Sequence, residues 1–137
     1  MSQPAAHHAT HYRVRYSDTD KMGVVYHGNY LRLFEIGRTE YLRHRGLPYS
    51  QMEQLGYMLP VLEAKCDFLL PARYDDLLEI RTVVEPLDGM RLTISYEIVR
   101  DDATLVRGWT RHTFVRSETF RPTRPPEFFL NVVGEQS

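Results

Sequence analysis

The sequence predicts one α+β domain in which a single long helix packs on a mostly antiparallel sheet of five strands. Apolar residues recur at a helical period between residues 29 and 45. One extended segment precedes that helix and four follow it, separated by short stretches of turn-forming residues. One helix followed by a run of strands is typical of this class, and 137 residues suffice for a single domain with its own core.

The first strand and the helix have clear local signals. Residues 1–10 are predicted to be a flexible lead, after which "HYRVRY" from His11 alternates as a strand does. Asn29 is placed to cap the helix, which is predicted to end at Arg45, just before Gly46. The apolar face of this helix consists of Tyr30, Leu33, Phe34, Gly37, Tyr41 and Leu42.

Four extended segments complete the domain, which is predicted to span residues 11–120. They are "MLPVLEAKCDFLL", "DLLEIRTVVEPL", "RLTISYEIVRD" and "TLVRGWTRHTFVR", and turn-forming residues separate them. The proline-rich ending, residues 121–137, is predicted to trail over the surface because proline lacks the N–H that a sheet needs.

The composition argues against several classes of function. A formal net charge of −1 provides no basic field to attract nucleic acid. No apolar run approaches the roughly 18 residues of a membrane-spanning helix, and the first residues lack the features of a signal peptide. The single cysteine, Cys66, cannot form a disulfide within the chain and is predicted to be a small core residue. We therefore expect a reducing, cytoplasmic location without nucleic-acid or membrane partners.

The stretch "YSDTDKMGVVYHGNY" concentrates chemically capable side chains in an otherwise ordinary chain. Asp18, Asp20 and Gly23 match three positions of a calcium-binding loop, but Met22 and Asn29 replace ligands that such a loop requires. Phosphatases with an aspartate nucleophile need a parallel-sheet domain that this chain cannot house. The remaining alternatives are a solvated acidic turn beside a helix-entry histidine, or a catalytic site.

The spacing of Asp20 and His27 favours the catalytic interpretation. Asp20 lies seven residues before His27, which is expected at the N-terminus of the long helix. Free backbone N–H groups and the helix dipole favour negative charge there, so a carboxylate would face an oxyanion hole. Such a pair suits attack on an activated acyl carbonyl. A thioester needs few catalytic groups, since a thiol with a pKa near 8.5 leaves as thiolate with little help.

"RVRYSDTDKMGVVYHGNY" resembles the signature of the 4-hydroxybenzoyl-CoA thioesterase family, especially its YbgC-like acyl-CoA thioesterase branch. The similarity continues through "NYLRLFEIGRTEYLR" and "LPARYDDLLEI" and thins after about Asp101. The matching residues of the signature are Arg13, Val14, Thr19, Asp20, Gly23, Val24, Val25, His27 and Tyr30.

The resemblance implies a hotdog fold, with a five-stranded antiparallel sheet wrapped around the long helix. It also implies homodimers that pair their sheets edge to edge, often joined into tetramers. The substrate would be an acyl-CoA, with acyl carrier protein as an alternative carrier. The family's catalytic carboxylate corresponds to Asp20, while the backbone N–H at His27 polarises the thioester carbonyl and the imidazole assists. The residues expected to contact substrate are Gly23, Val24, Val25, Tyr26, Tyr30 and Arg91.

Some of these residues have a second interpretation. Gly23 either lets substrate approach backbone N–H groups or is simply a turn glycine. Asp18 is expected to orient the loop rather than react, and Tyr30 to pack in the core. In the turn "LDGMR", Asp88 stands where some relatives place a basic residue for the phosphates of coenzyme A, which leaves Arg91 as the candidate cation.

No cofactor or metal is expected. His7, His8 and His11 have a spacing that could bind a metal on a helix, but they belong to or adjoin the predicted flexible lead. Two alternatives to a thioesterase stay open: a hotdog protein that binds an acyl thioester or a protein partner without turnover, and an acyl-CoA dehydratase or hydratase. The last is the weakest, because dehydratases of this fold commonly have an Asn-Pro element where "KMG" follows Asp20.

Overall fold

The computed structural model describes residues 7–133 as a sheet packed on one long helix. The strands are β1 (His8–Arg13), β2 (Tyr57–Met58), β3 (Val61–Phe68), β4 (Leu77–Val84), β5 (Arg91–Arg100), β6 (Ala103–Arg116) and β7 (Pro122–Thr123). The helices are α1 (Asn29–His44), α2 (Tyr49–Gln54) and α3 (Glu127–Val133), and a 3-10 turn covers Tyr16–Asp18.

The sheet is antiparallel throughout the described residues. Its central path is β1-β4-β5-β6-β2, and β3 and β7 also pair with β6. The 14-residue strand β6 is long enough to pair with β5 along one edge and with β3 along the other. Among residues 7–133, β3 pairs with β6 alone, so the free edges of the main sheet in this range are β1 and β3.

Helix α1 buries the face that its periodicity predicts. All six residues of the predicted apolar face are buried, and Phe34 stacks on Tyr96 of β5 with ring centroids 4.3 Å apart. A Cβ at Gly37 would lie 2.5 Å from Thr82 Oγ1, so glycine allows α1 to approach β4 closely. The helix ends as predicted: Gly46 adopts φ +85°, and the Leu47 N–H bonds to the Leu42 carbonyl.

Asn29 does not cap α1. The N-cap position belongs to Gly28, and the Asn29 side chain instead donates a 2.9 Å hydrogen bond to the backbone carbonyl of Asp18. The expectation rested on the residue type alone. The tertiary fold brings the Asp18 carbonyl close to Asn29, and the Asn29 side chain bonds to it instead of capping the helix.

The two ends of the predicted domain also need correction. Strand β1 begins at His8, so residues 8–10 of the predicted lead belong to the sheet, whereas residues 1–6 lie outside the described part. The proline-rich ending does not merely trail over the surface: β7 pairs with β6, and α3 places Phe129 in the core. With β2 and β7 the sheet has seven strands rather than five, although these two are only two residues long.

Three buried polar side chains, those of His112, Thr110 and Tyr96, form a hydrogen-bonded row between β6 and β5. His112 is fully buried; its Nε2 lies 2.8 Å from Thr110 Oγ1 and its Nδ1 lies 3.3 Å from the Leu59 carbonyl. Thr110 Oγ1 is in turn 2.6 Å from the Tyr96 hydroxyl. Burial, with a smaller contribution from the positive charge of Arg38, lowers the pKa of His112 to about 4.

We predict that His112 makes the protein less stable in mild acid. Its pKa falls from 6.5 when unfolded to about 4 when folded, so between these values the unfolded chain binds the additional proton. The free energy of unfolding should therefore fall by about 3 kcal/mol from pH 7.5 to pH 4 on account of His112. Urea unfolding at several pH values measures this slope. His112→Gln should flatten it; an equal slope in the wild type and in His112→Gln would contradict the prediction.

Candidate active site

Asp20 begins a tight hairpin between the 3-10 turn and α1. The Asp20 N–H bonds to the Val24 carbonyl at 2.9 Å, and the Gly23 N–H bonds to the Asp20 carbonyl at 3.0 Å. Asp20 Oδ1 accepts the Met22 N–H at 2.8 Å, a local arrangement that favours aspartate at the first position of a turn. Gly23 has φ +80° and open space around an added Cβ. Gly23 is thus a turn glycine, required by its backbone conformation.

Two backbone N–H groups are unpaired where the hairpin meets α1. The Asn29 N–H bonds to the Tyr26 carbonyl and the Tyr30 N–H to the His27 carbonyl, which closes the first turn. The N–H groups of His27 and Gly28 have no acceptor among residues 7–133, and both residues are exposed. At the N-terminus of a 16-residue helix, they can receive a negative oxygen.

Gly28 keeps this helix entrance compact. A Cβ at Gly28 would lie 2.9 Å from Cε2 of Tyr26, whose ring packs beside the His27 imidazole at a centroid distance of 4.3 Å. Gly28 was not predicted from the sequence. Its signal was available, because glycine is itself one of the residues favoured at the N-cap of a helix.

An apolar pocket of about 270 Å³ opens beside the helix entrance. The Phe68 ring lies 6.2 Å from the His27 ring and 5.6 Å from the Tyr30 ring, and is 53% exposed. The lining residues are Val25, His27, Tyr30, Phe68, Leu69, Leu70 and Pro71. The pocket can take an apolar group whose polar end points to the free N–H groups.

Tyr30 joins the helix to the loop that follows β3. It is only 3% exposed, and its hydroxyl accepts the Ala72 N–H at 3.3 Å. Burial raises the pKa of this phenol above its ordinary value, so it stays protonated. The Ala72 carbonyl accepts the Val25 N–H at 2.8 Å. Tyr30 therefore packs in the core, as expected, and also forms part of the pocket wall.

Asp18 is buried and bonded on every side. Its Oδ2 accepts the Tyr12 hydroxyl at 2.7 Å and the Arg15 N–H at 2.8 Å, and Oδ1 pairs with the Arg32 guanidinium. Burial alone would raise its pKa, but these hydrogen bonds and the nearby positive charges outweigh it and hold the pKa of Asp18 below its ordinary value. Asp18 is therefore an ionised structural residue rather than a reacting group.

The remaining predicted site residues are distributed unevenly. Val25, His27 and Tyr30 line the pocket. Val24 instead forms a β-bridge to Arg73, and Tyr26 packs beside the His27 ring. Asp20 is half-buried on the hairpin and is not among the lining residues of the single chain.

Arg91 lies at the other end of the sheet. It pairs with Thr113 of β6, whereas Phe68 pairs with Val106. Seven residues of strand separate these positions, which corresponds to about 23 Å. Within one chain, Arg91 cannot contact a small group bound in the pocket.

The apolar wall at the end of β3 was not predicted from the sequence. Phe68, Leu69 and Leu70 are all about half exposed, whereas a strand with one solvated face would alternate. The run "DFLLP" was the available signal, since consecutive apolar residues before a proline do not fit a two-faced strand.

Neither a metal centre nor a membrane span is found between residues 7 and 133. No three His, Cys, Asp or Glu side chains in this range are arranged to hold an ion. No helix in the same range combines the length and apolar character needed to cross a bilayer. Burial raises the pKa of the Cys66 thiol, which disfavours a nucleophilic thiolate.

Comparison with known proteins gives a consistent result. The model of the family described as "Thioesterase-like superfamily" matches residues 14–133. "Acyl-CoA thioester hydrolase YbgC" of Escherichia coli is 37% identical over 94 residues, covering 69% of this chain and 70% of that protein. "Acyl-CoA thioesterase YbgC" of Helicobacter pylori is 37% identical over 132 residues, covering 89% and 96%.

Solved structures agree in fold. "DHNA-CoA Thioesterase" from Staphylococcus aureus superposes with a TM-score of 0.85 at 32% identity, covering 91% of this chain and 85% of that one. A structure of 4-hydroxybenzoyl-CoA thioesterase also gives a TM-score of 0.85, over 93% and 98% of the two chains. At 20% identity, the second likeness establishes the shared fold alone.

Proposed function

Because this chain belongs to the Thioesterase-like superfamily and is a thioester hydrolase, we propose that it hydrolyses acyl-CoA, with Asp20 as catalytic carboxylate and the start of α1 as oxyanion hole. The predicted hotdog fold and the predicted family are both confirmed by these relatives. The observation that supports the site most directly is that the backbone N–H groups of His27 and Gly28 have no acceptor among residues 7–133. They lie beside an apolar pocket, and the hairpin that begins at Asp20 leads to them.

The proposed reaction follows from this placement. The acyl group enters the apolar pocket, and its carbonyl oxygen accepts hydrogen bonds from the N–H groups of His27 and Gly28. Asp20 either deprotonates a water molecule that attacks the carbonyl carbon, or attacks it directly to form an anhydride that water then opens. The C–S bond breaks, the electron pair leaves on sulfur, and the products are a carboxylic acid and free coenzyme A. One oxyanion donor typically lowers the barrier by about 3 kcal/mol.

Thiol release from a panel of short, aromatic and long acyl-CoAs tests the proposal. We expect turnover of at least one class, and the preferred chain reports how deep the pocket is when the site is complete. The same acyl groups on acyl carrier protein serve as the comparison for the carrier. Binding without turnover of any substrate would refute the hydrolase and indicate a binding module. A cytoplasmic location is part of the proposal, supported by the single cysteine.

The β3 edge supports a site completed by a second subunit. Every residue of β3 except Cys66 is exposed, and the backbone groups on the side of β3 that faces away from β6 have no strand partner among residues 7–133. Such an edge invites pairing. Val61 and Leu62 at one end and Phe68 to Leu70 at the other present apolar side chains to solvent. Antiparallel pairing of two β3 strands around a two-fold axis would cover both ends and extend the sheet.

The same pairing would explain the position of Arg91. Two antiparallel β3 strands bring the Val61 end of one beside the Phe68 end of the other. Strand pairing places Val61 next to His112 and Arg91 next to Thr113, so Arg91 of the partner subunit would lie at the same end of the extended sheet as this pocket. We therefore propose that Arg91 contacts a phosphate of coenzyme A bound in the other subunit's pocket.

We predict that the protein is a homodimer or a homotetramer and that its activity depends on this. Sedimentation velocity at micromolar concentration, followed by activity measurements on the same fractions, provides the test. Leu62→Glu, which places charge on the β3 edge, should shift the protein toward monomer and lower activity in proportion. Glu53→Gln, at an exposed position on α2, is the control. A fully active monomer of about 16 kDa would refute both the assembly and the shared site.

For His27→Ala, we predict a ten- to thirtyfold fall in kcat, which corresponds to the loss of one hydrogen bond of about 1 to 2 kcal/mol. The change removes the imidazole but leaves the backbone N–H. His44→Ala, which removes an exposed imidazole at the opposite end of α1, is the matched control. A loss as large as that of Asp20→Asn would instead make the imidazole a primary acid or base.

A further inference from the structure

We propose that Asp18 and Arg32 are positioning residues: the ion pair between the buried Asp18 carboxylate and the partly exposed Arg32 guanidinium holds the start of α1 against the Asp20 hairpin and so sets the distance between carboxylate and oxyanion hole. The inference rests on the proposed function. Neither side chain lines the pocket, and Asp18, at 4% exposure, is closed to substrate. Any influence on the reaction must therefore pass through the groups that they hold.

The ion pair joins three segments of the chain. Arg32 lies in the first turn of α1, Asp18 ends the 3-10 turn, and Tyr12 belongs to β1. The Tyr12 hydroxyl donates to Asp18 at 2.7 Å and accepts an N–H of Arg32 at 3.3 Å. Arg15 adds a further N–H to the same hydroxyl at 3.0 Å. A carboxylate with this many donors has one position and orientation.

The backbone of Asp18 transmits that position to the oxyanion hole. Its carbonyl accepts the Tyr26 N–H at 3.0 Å and the Asn29 side-chain amide at 2.9 Å. Tyr26 and Asn29 flank His27 and Gly28, whose N–H groups are the proposed donors. Arg32 thus holds the carboxylate of Asp18, and the backbone carbonyl of Asp18 in turn holds the residues on both sides of the oxyanion hole.

Asp18 also fixes the catalytic carboxylate. Asp20 is two residues further along the same arm of the hairpin, and the arm is tied to its neighbour by the Thr19–Val25 bridge and the Asp20–Val24 hydrogen bond. A rotation of Asp18 would thus move Asp20 and the N–H donors by different amounts. Displacements of about 1 Å at a reacting centre can cost as much as a hundredfold in rate.

Stability alone gives a weaker account of the pair. The Arg32 side chain is 42% exposed, so solvent screens its charge and the pair by itself adds little to stability. The hydrogen bonds around the Asp18 carboxylate instead fix its orientation. A second arginine ion pair on the same helix provides the contrast. Arg43 pairs with Glu40 at 3.3 Å on the solvent face and contacts neither the hairpin nor the pocket.

The test compares Arg32→Gln with Arg32→Lys and Arg43→Gln. We expect Arg32→Gln to lower kcat about tenfold with KM changed less than twofold, because substrate contacts survive while the reacting groups are misaligned. Arg32→Lys restores the charge and should recover kcat to within about threefold, and Arg43→Gln should match the wild type. In an Asp20→Asn background, Arg32→Gln should have little further effect, since the carboxylate that it positions is gone.

Amide hydrogen exchange supplies a readout that does not need activity. Exchange in residues 18–29 should rise in Arg32→Gln and in the milder Tyr12→Phe, but not in Arg43→Gln. Tyr12→Phe removes one hydroxyl and keeps the test available if Arg32→Gln does not fold. Unchanged exchange, a change in KM alone, or full additivity with Asp20→Asn would each overturn the positioning role. Absence of wild-type turnover with raised exchange would instead refute the proposed function.

Discussion

We expect Asp20→Asn to lower kcat at least a hundredfold while the fold and KM stay close to those of the wild type. A residue that acts as general base or nucleophile contributes this much or more. The fold survives because Asn keeps the Oδ1 atom that accepts the Met22 N–H, and the backbone hydrogen bonds of the hairpin do not involve the side chain. The change therefore removes the charge needed for attack and little else.

Steady-state kinetics on the preferred acyl-CoA measures the loss, with circular dichroism as a check on folding. Asp102→Asn is the matched control: Asp102 is exposed in the turn between β5 and β6 with φ 68°, a conformation that asparagine tolerates. It should retain wild-type kinetics. Retention of more than about a tenth of kcat in Asp20→Asn would remove Asp20 from the catalytic role, whatever the family resemblance implies.

Gly108→Ala should destabilise the protein by about 3 kcal/mol, at the upper end of the range for overpacked cores. A Cβ at Gly108 would overlap the backbone carbonyl of Lys65 in β3 and lie 2.6 Å from Phe34 Cε2. Neither neighbour can yield easily. The carbonyl belongs to a strand paired along its length with β6, and Phe34 is fully buried and stacked on Tyr96.

Urea unfolding at fixed protein concentration measures the change, because subunit assembly would make the midpoint depend on concentration. Gly89→Ala is the control. Gly89 has φ +62° with open space around an added Cβ, so only its backbone conformation is strained, at a cost of about 1 to 2 kcal/mol. A loss below that of Gly89→Ala would show that β3 can move away from β6 at this point.

Local signals explain which parts of the fold could be predicted. The buried face of α1 repeats every three to four residues, so Tyr30, Phe34 and Tyr41 could be assigned from the sequence alone. The C-terminal segment was assigned wrongly because its prolines outweighed "EFFLNVV". Phe129 packs 4.8 Å from Phe114, and that contact depends on the end of β6, far away in sequence.

In the candidate site, too, local sequence signals predicted some features, whereas features that depend on distant parts of the chain were not predicted. Asp20 and His27 stand out through residue type and spacing, and the resemblance assigned their roles. The φ of +80° at Gly23 explains the glycine as a requirement of the turn, and its contact with substrate stays a prediction. The distance of Arg91 from the pocket follows from strand register, which no local pattern specifies.

Helix α3 has a consequence for how the chain is made. Phe129 contacts Phe114, Phe128 lies 5.6 Å from Tyr57, and Arg45 at the end of α1 donates to the Val132 carbonyl at 2.8 Å. These partners are translated well before α3 is. Until α3 has left the ribosome, the nascent chain has an open end of its core at Phe114 and Tyr57. Completion of the core therefore waits for α3, and a ribosome stalled within α3 would hold a chain that exposes this aromatic surface.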